Sequence, residues 1–141
     1  MKNLNKTAGY SGTPLSQKLG IKEGFKICVK NMPENYFDLL HPLPENISFM
    51  SKTGNEIDIV HLFTKSRNEL EKFLLEYKSR VKQNGVIWVS WHKKSFKIKT
   101  EITEDIIRSI ALPIGLVDIK ICAVDEIWSG LKLVIRKENR K

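Results

Sequence analysis

The segment that decides the fold runs from Gly85 to Lys137 and reads GVIWVSWHKKSFKIKTEITEDIIRSIALPIGLVDIKICAVDEIWSGLKLVIRK. Its first apolar run predicts a buried strand, and isoleucines at helical spacing after Thr103 predict a helix that ends at Pro113 and Gly115. Two more apolar runs around a short polar stretch predict a hairpin. A helical crossover followed by an antiparallel hairpin is how a doubly wound α/β sheet ends.

The residues before Gly85 predict the first half of the same sheet. Ser66 and Glu69 form a capping box, and apolar residues at helical spacing predict a helix from there to about Asn84. The nearly continuous apolar run EIDIVHLFT (56–64) predicts a central strand that is covered on both faces. Four shorter elements precede it: a helix over 14–19 with Thr13 as its N-cap, a strand over 25–30, a helix over 33–40 and a strand over 47–50.

These elements predict one three-layer α/β domain with a Rossmann-like, methyltransferase-like topology. Its mostly parallel sheet is closed by the C-terminal antiparallel hairpin. A chain of 141 residues suits a single domain. We expect a flexible N-terminal tail over 1–12, the domain over 13–137 and a basic C-terminal tail over 138–141.

The composition and charge restrict the class of protein and of partner. Hydrophobic residues make up 41% of the chain and charged residues 28%, with no apolar run of bilayer-spanning length. The basic N-terminus has no apolar segment behind it, so we expect a cytoplasmic protein without a secretory signal or a membrane partner. The net charge of +8 predicts affinity for a nucleotide, a nucleic acid or an acidic protein surface.

Position in the sheet selects the candidate ligand-binding residues, because ligands bind beyond the carboxyl ends of parallel strands. These residues are Asn31 after the first strand, Thr64 after the third, and Trp91, His92, Lys93, Lys94 and Lys97 after the fourth. Such aromatic and cationic side chains can stack a base and neutralise a phosphate. Lysines are also common in solvated loops, and a tryptophan at a strand end is also common at the edge of a core.

Several chemistries have no motif in this chain. The first strand leads into NMPENYF (31–37) without a Gly-x-Gly turn to cradle a cofactor, so the cofactor stays unidentified. There is no P-loop and no serine-hydrolase elbow. The histidines and cysteines lack metal-ligand spacing, and we expect no metal; His61 is interpreted as a structural histidine. The stretch Asp125–Gly130 is interpreted as the turn of the closing hairpin.

Three stretches resemble a bacterial family known as domain of unknown function 3052. They are GYSGTPL-x-x-KLGIK-x-G (9–24), WVSWHKK (88–94) and L-x-x-GLVDIKICAVD-x-x-WSGLK (112–132). The residues inside these motifs include Thr13, Lys18, Trp91, Lys93, Lys94, Asp125 and Trp128. The family has proline where this chain has His92. The resemblance implies the methyltransferase-like fold, but it assigns no chemistry to these residues.

Three functions are compatible with the sequence. The missing glycine turn favours a non-catalytic protein that binds an anionic ligand or a macromolecular partner. The alternative is a diverged S-adenosylmethionine-dependent methyltransferase, which would need an acid after the second strand for the ribose hydroxyls, where this chain has Ser51-Lys52-Thr53. The third is nucleic-acid binding through the lysines, which predicts an affinity that falls steeply with salt.

Overall fold

The computed structural model describes residues 13–50, 54–94 and 98–141. The elements in chain order are α1 (Leu15–Leu19), β1 (Lys26–Lys30), α2 (Tyr36–Leu40), β2 (Ser48–Phe49), β3 (Ile57–Phe63), α3 (Arg67–Lys78), β4 (Val81–His92), α4 (Glu104–Ala111), β5 (Leu116–Ala123) and β6 (Trp128–Ile135). Short 3-10 helices cover Leu112–Ile114 and Lys137–Asn139. The expected tail over 1–12 lies outside the described residues, as do 51–53 and Lys97.

All six strands form one sheet in the order β2-β1-β3-β4-β6-β5. β1 pairs in parallel with β2 and β3, and β3 pairs in parallel with β4. The last two strands run antiparallel to their neighbours and close the sheet as a hairpin. The predicted fold class is therefore confirmed. The chain moves outward from β1 to β2 and then crosses back to β3, so its winding reverses between β1 and β3.

Helices cover both faces of the sheet and make three layers. On one face, α3 and α4 bury Leu70, Leu74 and Ile107 against strand residues such as Leu62 and Val89. On the other face, the short helices α1 and α2 bury apolar side chains against Ile59, Phe63 and Trp88. Because β3 is covered on both sides, six of its seven residues are buried, as its continuous apolar run predicts. No helix in the described ranges is long and apolar enough to span a membrane.

The polar N-caps fix where the two longest helices begin. The Ser66 hydroxyl accepts a hydrogen bond from the Glu69 backbone N–H at 3.3 Å, and the Thr103 hydroxyl accepts one from Ile106 N–H at 3.1 Å. Caps of this kind stabilise a helix by about 1 kcal/mol each. Both predicted caps are confirmed. The shorter α1 differs from the prediction, since it begins at Leu15 with Pro14, in an extended conformation, at its N-cap.

The expected end of α3 near Asn84 is wrong, because the helix ends at Lys78 and β4 begins at Val81. Val81 is buried, so it satisfies the helical spacing and the strand pattern equally well. Ile57 pairs with Val81, whereas Ile59 pairs with Val86, so the ladder contains a bulge. A Cβ on Gly85 would collide with Val81 and lie 3.0 Å from the Ile57 carbonyl oxygen. Gly85 therefore serves the bulge rather than a helix end.

The closing hairpin also turns earlier than predicted. β6 already begins at Trp128, so Ser129 and Gly130 are strand residues and the turn comprises 124–127. Asp125 does stabilise this turn, because its Oδ1 accepts hydrogen bonds from the N–H groups of Ile127 and Trp128, both at 2.8 Å. The Ser-Gly pair is typical of turns, but here its glycine permits close packing inside the sheet.

Candidate functional site

The carboxyl ends of β1, β3 and β4 meet at one edge of the sheet. Backbone hydrogen bonds hold the segments that leave this edge: Thr64 N–H donates to the Ser90 carbonyl at 3.3 Å, and Glu101 N–H donates to the Lys65 carbonyl at 2.9 Å. The segment before α4 therefore lies beside the end of β3. This edge contains most of the residues that strand position selected from the sequence.

Asn31 and Thr64 are brought together by a residue that the sequence analysis missed as a site residue, Glu69. Asn31 adopts a left-handed conformation with φ of 58°, and its amide donates to the Phe63 carbonyl at 2.8 Å and to Glu69 Oε1 at 3.1 Å. The Thr64 hydroxyl donates to the same oxygen at 2.6 Å. Glu69 thus joins β1, β3 and α3 at the point where the winding reverses.

The signal for Glu69 was present in the sequence, but it predicted a different partner. In a capping box, the acid in the first turn bonds the N–H of the capping serine. Here the Ser66 N–H donates to the Thr64 hydroxyl at 3.2 Å instead. The Glu69 carboxylate is therefore free to bond the ends of two neighbouring strands.

His92, at the end of β4, stacks on the Trp128 indole with the ring centres 4.0 Å apart. It is 9% exposed, and its Nδ1 is the buried side-chain atom among the described residues that has no hydrogen-bond partner. Burial, and to a lesser extent the positive charge of Lys65, lower the pKa of His92, and Asp125 opposes this shift. The imidazole is consequently neutral near pH 7.

Trp128 and Trp91 do not offer open faces for a base. One face of Trp128 is covered by His92, and its ring also meets Phe63 at 4.9 Å in an edge-to-face arrangement. Trp91 is 9% exposed and packs in the core formed with α3 and α4. A base bound at this edge would have to contact other groups.

The remaining predicted positions lie around the same edge with different exposures. The backbone N–H of Lys93 donates to the Ile127 carbonyl at 2.8 Å, while Lys94 is exposed. Lys18 donates from Nζ to the Ala123 carbonyl at 3.1 Å, which links α1 to the end of β5. Thr13 is half-buried at the residue before Pro14. Lys97 lies outside the described residues.

A buried polar chain lies beneath the edge. The Tyr36 hydroxyl is 2.8 Å from His61 Nδ1, and His61 Nε2 is 2.7 Å from the Ser90 hydroxyl. All three residues are fully buried, and burial lowers the pKa of His61 to about 3. The interpretation of His61 as a structural histidine is confirmed, since both ring nitrogens have protein partners and no solvent reaches them.

A cavity of about 670 Å³ opens between the end of β4 and the start of α4. His92, Lys94, Lys99 and Arg108 are among the residues that line it. Arg108 bonds three acids: Glu104 at 2.8 Å, Asp105 at 3.3 Å and Asp118 at 3.0 Å. The hydrogen bond to Asp118 is the main cause of a raised Arg108 pKa. No pattern in the sequence singles out Arg108, because its partners come from both α4 and β5.

No family model matches this sequence, and no curated protein matches it. Solved structures do match. A SAM-dependent methyltransferase from Aquifex aeolicus superimposes with a TM-score of 0.58 at 13% identity, over 84% of this chain and 86% of that one. The DhpI–SAH complex gives 0.60 at 10% identity, over 88% and 83%. Aeropyrum pernix fibrillarin with bound S-adenosyl-L-methionine gives 0.55 at 12% identity, over 89% and 70%.

These likenesses define the class of fold, a methyltransferase-like Rossmann domain. In a doubly wound fold, a nucleotide is usually held by a glycine turn after the first strand and by an acid on the ribose. Residues 31–50 contain no glycine, and β2 ends at Phe49, which is followed by Met50 rather than by an acid. Two exposed aromatic rings, Phe37 and Phe49, pack edge-to-face beside the end of β2 with their centres 5.0 Å apart.

Proposed function

We propose that this chain is a diverged member of the S-adenosylmethionine-dependent methyltransferase class. It binds the methyl donor, or its demethylated product S-adenosylhomocysteine, at the carboxyl ends of β1, β2 and β3. The topology carries the proposal: the winding reverses between β1 and β3, which is where ligands bind in doubly wound sheets. The likeness to solved methyltransferases supports it at the level of fold.

The aromatic pair at the end of β2 provides the adenine contact in this proposal. Phe37 is 47% exposed and Phe49 38% exposed, so each presents a ring surface to solvent beside the strand end. Stacking of a base on such a ring contributes about 1–3 kcal/mol. Glu34, exposed in the loop between β1 and α2, is the first acid after β1 and is assigned to a ribose hydroxyl in this proposal. When bound, S-adenosylmethionine supplies a methyl group on a sulfonium.

The network around Glu69 prepares the loop between β1 and α2 for this ligand. Because Asn31 is bonded to both Phe63 and Glu69, the start of the loop is fixed against β3 and α3. A fixed loop loses less conformational freedom when it binds a ligand, which favours affinity.

Isothermal titration calorimetry of the purified protein with S-adenosylmethionine and S-adenosylhomocysteine tests the proposal. The wild type should bind at least one of them, and Phe49→Ala should weaken binding by about 5-fold to 150-fold, as expected from the loss of a stacked base. The control is Leu75→Ala on α3, which removes a 60% exposed apolar side chain away from this edge and should not change the affinity. Absence of binding by folded wild type at millimolar ligand overturns the proposal.

Thermal unfolding of the protein with different ligands distinguishes this function from the two alternatives, a non-catalytic protein for anionic ligands and a nucleic-acid-binding protein. A ligand present at about 100 times its Kd adds roughly 2.7 kcal/mol of stability, which moves Tm by several degrees. A shift with nucleotides but not with S-adenosylhomocysteine would instead favour a non-catalytic protein for anionic ligands. A shift with short DNA or RNA that disappears with added salt would favour nucleic-acid binding.

A further inference from the structure

Two lysines lie directly opposite each other in the closing hairpin. Lys120 of β5 pairs with Lys132 of β6, and on its other side Lys132 pairs with Trp88 of β4. Residues that pair in an antiparallel ladder point to the same face, so both lysines lie on the face that carries Trp88, α1 and α2. Like charges at directly opposite positions destabilise a sheet. The free protein therefore contains a repulsive pair at this position.

A third lysine reaches the same place from α1. Lys18 donates from Nζ to the Ala123 carbonyl at the end of β5, at 3.1 Å. Burial raises the pKa of the Cys122 thiol, whereas the positive charges of Lys18 and Lys120 oppose this shift, so both lysines lie near this sulfur. Lys18, Lys120 and Lys132 thus come from α1, β5 and β6 to one surface, which we call the lysine face.

No acid compensates the charge of the hairpin lysines in the described structure. Neither Lys120 nor Lys132 forms an ion pair with a residue in 13–50, 54–94 or 98–141. Asp118, two residues before Lys120, pairs with Leu133 and is bonded to Arg108 on the opposite face of the sheet. Burial lowers the pKa of Lys132, and the charge of Lys120 lowers it further.

Protection of the sheet edge does not account for both lysines. A lysine on an edge strand discourages pairing with another chain, and Lys120 lies on the edge strand β5. Lys132 does not, because β6 lies between β4 and β5. Lysine is depleted in strands, and Lys132 is half-buried there without an acidic partner in the described ranges. A negatively charged partner accounts for both positions, since it stabilises both cations at once.

We infer that the lysine face binds the phosphate backbone of a nucleic acid. Nucleic acid has the required charge density, because a duplex carries one negative charge per about 1.7 Å of its axis. The net charge of +8 adds long-range attraction. Contacts with phosphates carry no base-sequence information, so the binding is independent of sequence. The inference does not depend on the methyl donor, since the three lysines lie outside the edge formed by β1, β2 and β3.

Fluorescence anisotropy tests this inference with labelled RNA and DNA, each single-stranded and duplex. Folded wild type should bind at about 50 mM salt, and three phosphate contacts predict a loss of about 20-fold to 40-fold in affinity at about 200 mM salt. RNA and DNA share the backbone that the lysines contact, so binding of either one supports the inference. The parallel titrations show which of the two binds more tightly.

Lys120→Glu separates binding from folding, because the two should change in opposite directions. The introduced carboxylate lies opposite Lys132, so Tm should rise by about 1–4 °C. The same carboxylate repels phosphate, so the affinity should fall about tenfold or more. Lys120→Gln removes one contact without adding a negative charge, and it should reduce the slope of log Kd against log salt by about 0.7–0.9.

The matched control is Lys72→Glu, which makes the same change of charge on α3, at the opposite face of the sheet. It should weaken binding less than about twofold, because exposed charges farther apart than a Debye length are largely screened. Equal weakening by Lys72→Glu and Lys120→Glu would overturn the inference.

Three further results would also overturn it: an affinity that salt does not change, no binding of any of the four nucleic acids by folded wild type at low salt, and tighter binding to polyglutamate or to phosphatidylserine vesicles than to nucleic acid. S-adenosylhomocysteine binding without nucleic-acid binding contradicts this inference alone. Nucleic-acid binding without binding of S-adenosylhomocysteine or the methyl donor contradicts the proposed function alone.

Discussion

The hydroxyl of Tyr36 lies 2.8 Å from Nδ1 of His61 in an interior that water does not reach. On the other side of the ring, Nε2 lies 2.7 Å from the Ser90 hydroxyl, so the imidazole links α2, β3 and β4. A neutral imidazole has one donor and one acceptor, and a hydroxyl can serve either role. The three side chains therefore satisfy one another, which is what permits a polar group at the centre of the sheet.

Removing the Ser90 hydroxyl from this hydrogen-bonded trio should lower the free energy of unfolding more than removing an exposed hydroxyl does. Ser90→Ala leaves a buried imidazole nitrogen without a partner, and we expect a loss of about 1–3 kcal/mol in the free energy of unfolding. The control, Ser109→Ala on the exposed side of α4, should change it by less than about 0.5 kcal/mol. Urea denaturation measures both. Equal effects for the two variants would contradict the role of Ser90 as an essential partner.

The buried imidazole also makes stability depend on pH. The pKa of His61 is lowered to about 3 in the folded protein, against about 6.5 in the unfolded chain, so the unfolded state binds more protons between these values. Stability due to this group is complete above pH 6.5 and falls as the pH decreases toward 3, by up to about 1.4 kcal/mol per pH unit. His92, whose pKa is also lowered, acts in the same sense.

Chemical denaturation between pH 7 and pH 5 measures this dependence. Most carboxylates titrate below this range, so they contribute little to it. His61→Gln is the control, because glutamine retains a donor and an acceptor but does not titrate. The wild type should lose stability faster than the variant as the pH falls. Parallel curves would show that protonation of His61 is not linked to unfolding.

Glu69 should be important for the stability of the edge as well as for ligand binding. Its Oε1 accepts from the Thr64 hydroxyl at 2.6 Å and from the Asn31 amide at 3.1 Å, and Glu69→Ala removes both bonds. We expect a loss of about 1–3 kcal/mol. Glu69→Gln should lose less, since an amide oxygen can accept the same bonds. The control Glu71→Ala removes an exposed acid whose Arg67 contact is 3.7 Å, and it should cost under about 0.5 kcal/mol.

The sequence is sufficient to predict that Asn31, Thr64 and His92 lie near one another, because each follows a strand and the carboxyl ends of parallel strands meet at one edge. It is insufficient for Glu69, whose carboxylate has two sterically reasonable sets of partners. The interpretation of Trp91 and His92 as parts of one site rests on their being adjacent in the chain, which does not place their side chains together. Alternate residues of a strand point to opposite faces, so Trp91 packs with α3 and α4 while His92 stacks on Trp128.

The boundaries predicted least well are those where one residue satisfies two patterns. Val81 continues the apolar spacing of α3 and is also buried as the first residue of β4. Propensity cannot decide between them, because the deciding contact is the pairing of Val81 with Ile57, which is distant in sequence. Long-range pairing of this kind overrides local preference.

Gly130 provides a direct test of the revised hairpin. If it were a turn residue, alanine would find open space, but in β6 its added Cβ would lie 3.2 Å from Val124 and 3.3 Å from Trp88. Both neighbours are fully buried, so they have little room to move. We therefore expect Gly130→Ala to lower the free energy of unfolding by about 1–3 kcal/mol, the usual cost of overpacking a core.

Ser129→Ala, at the neighbouring position of the same strand, controls for the change in strand propensity and should have a small effect. The double variant Gly130→Ala with Val124→Ala should be less destabilised than the sum of the two single variants, because removing the Val124 methyl groups makes space for the new one. Urea denaturation measures the stability of each variant. If the double variant lost as much stability as the two single variants together, the two side chains would not share this space. Gly130 would then not lie against Val124 across the hairpin.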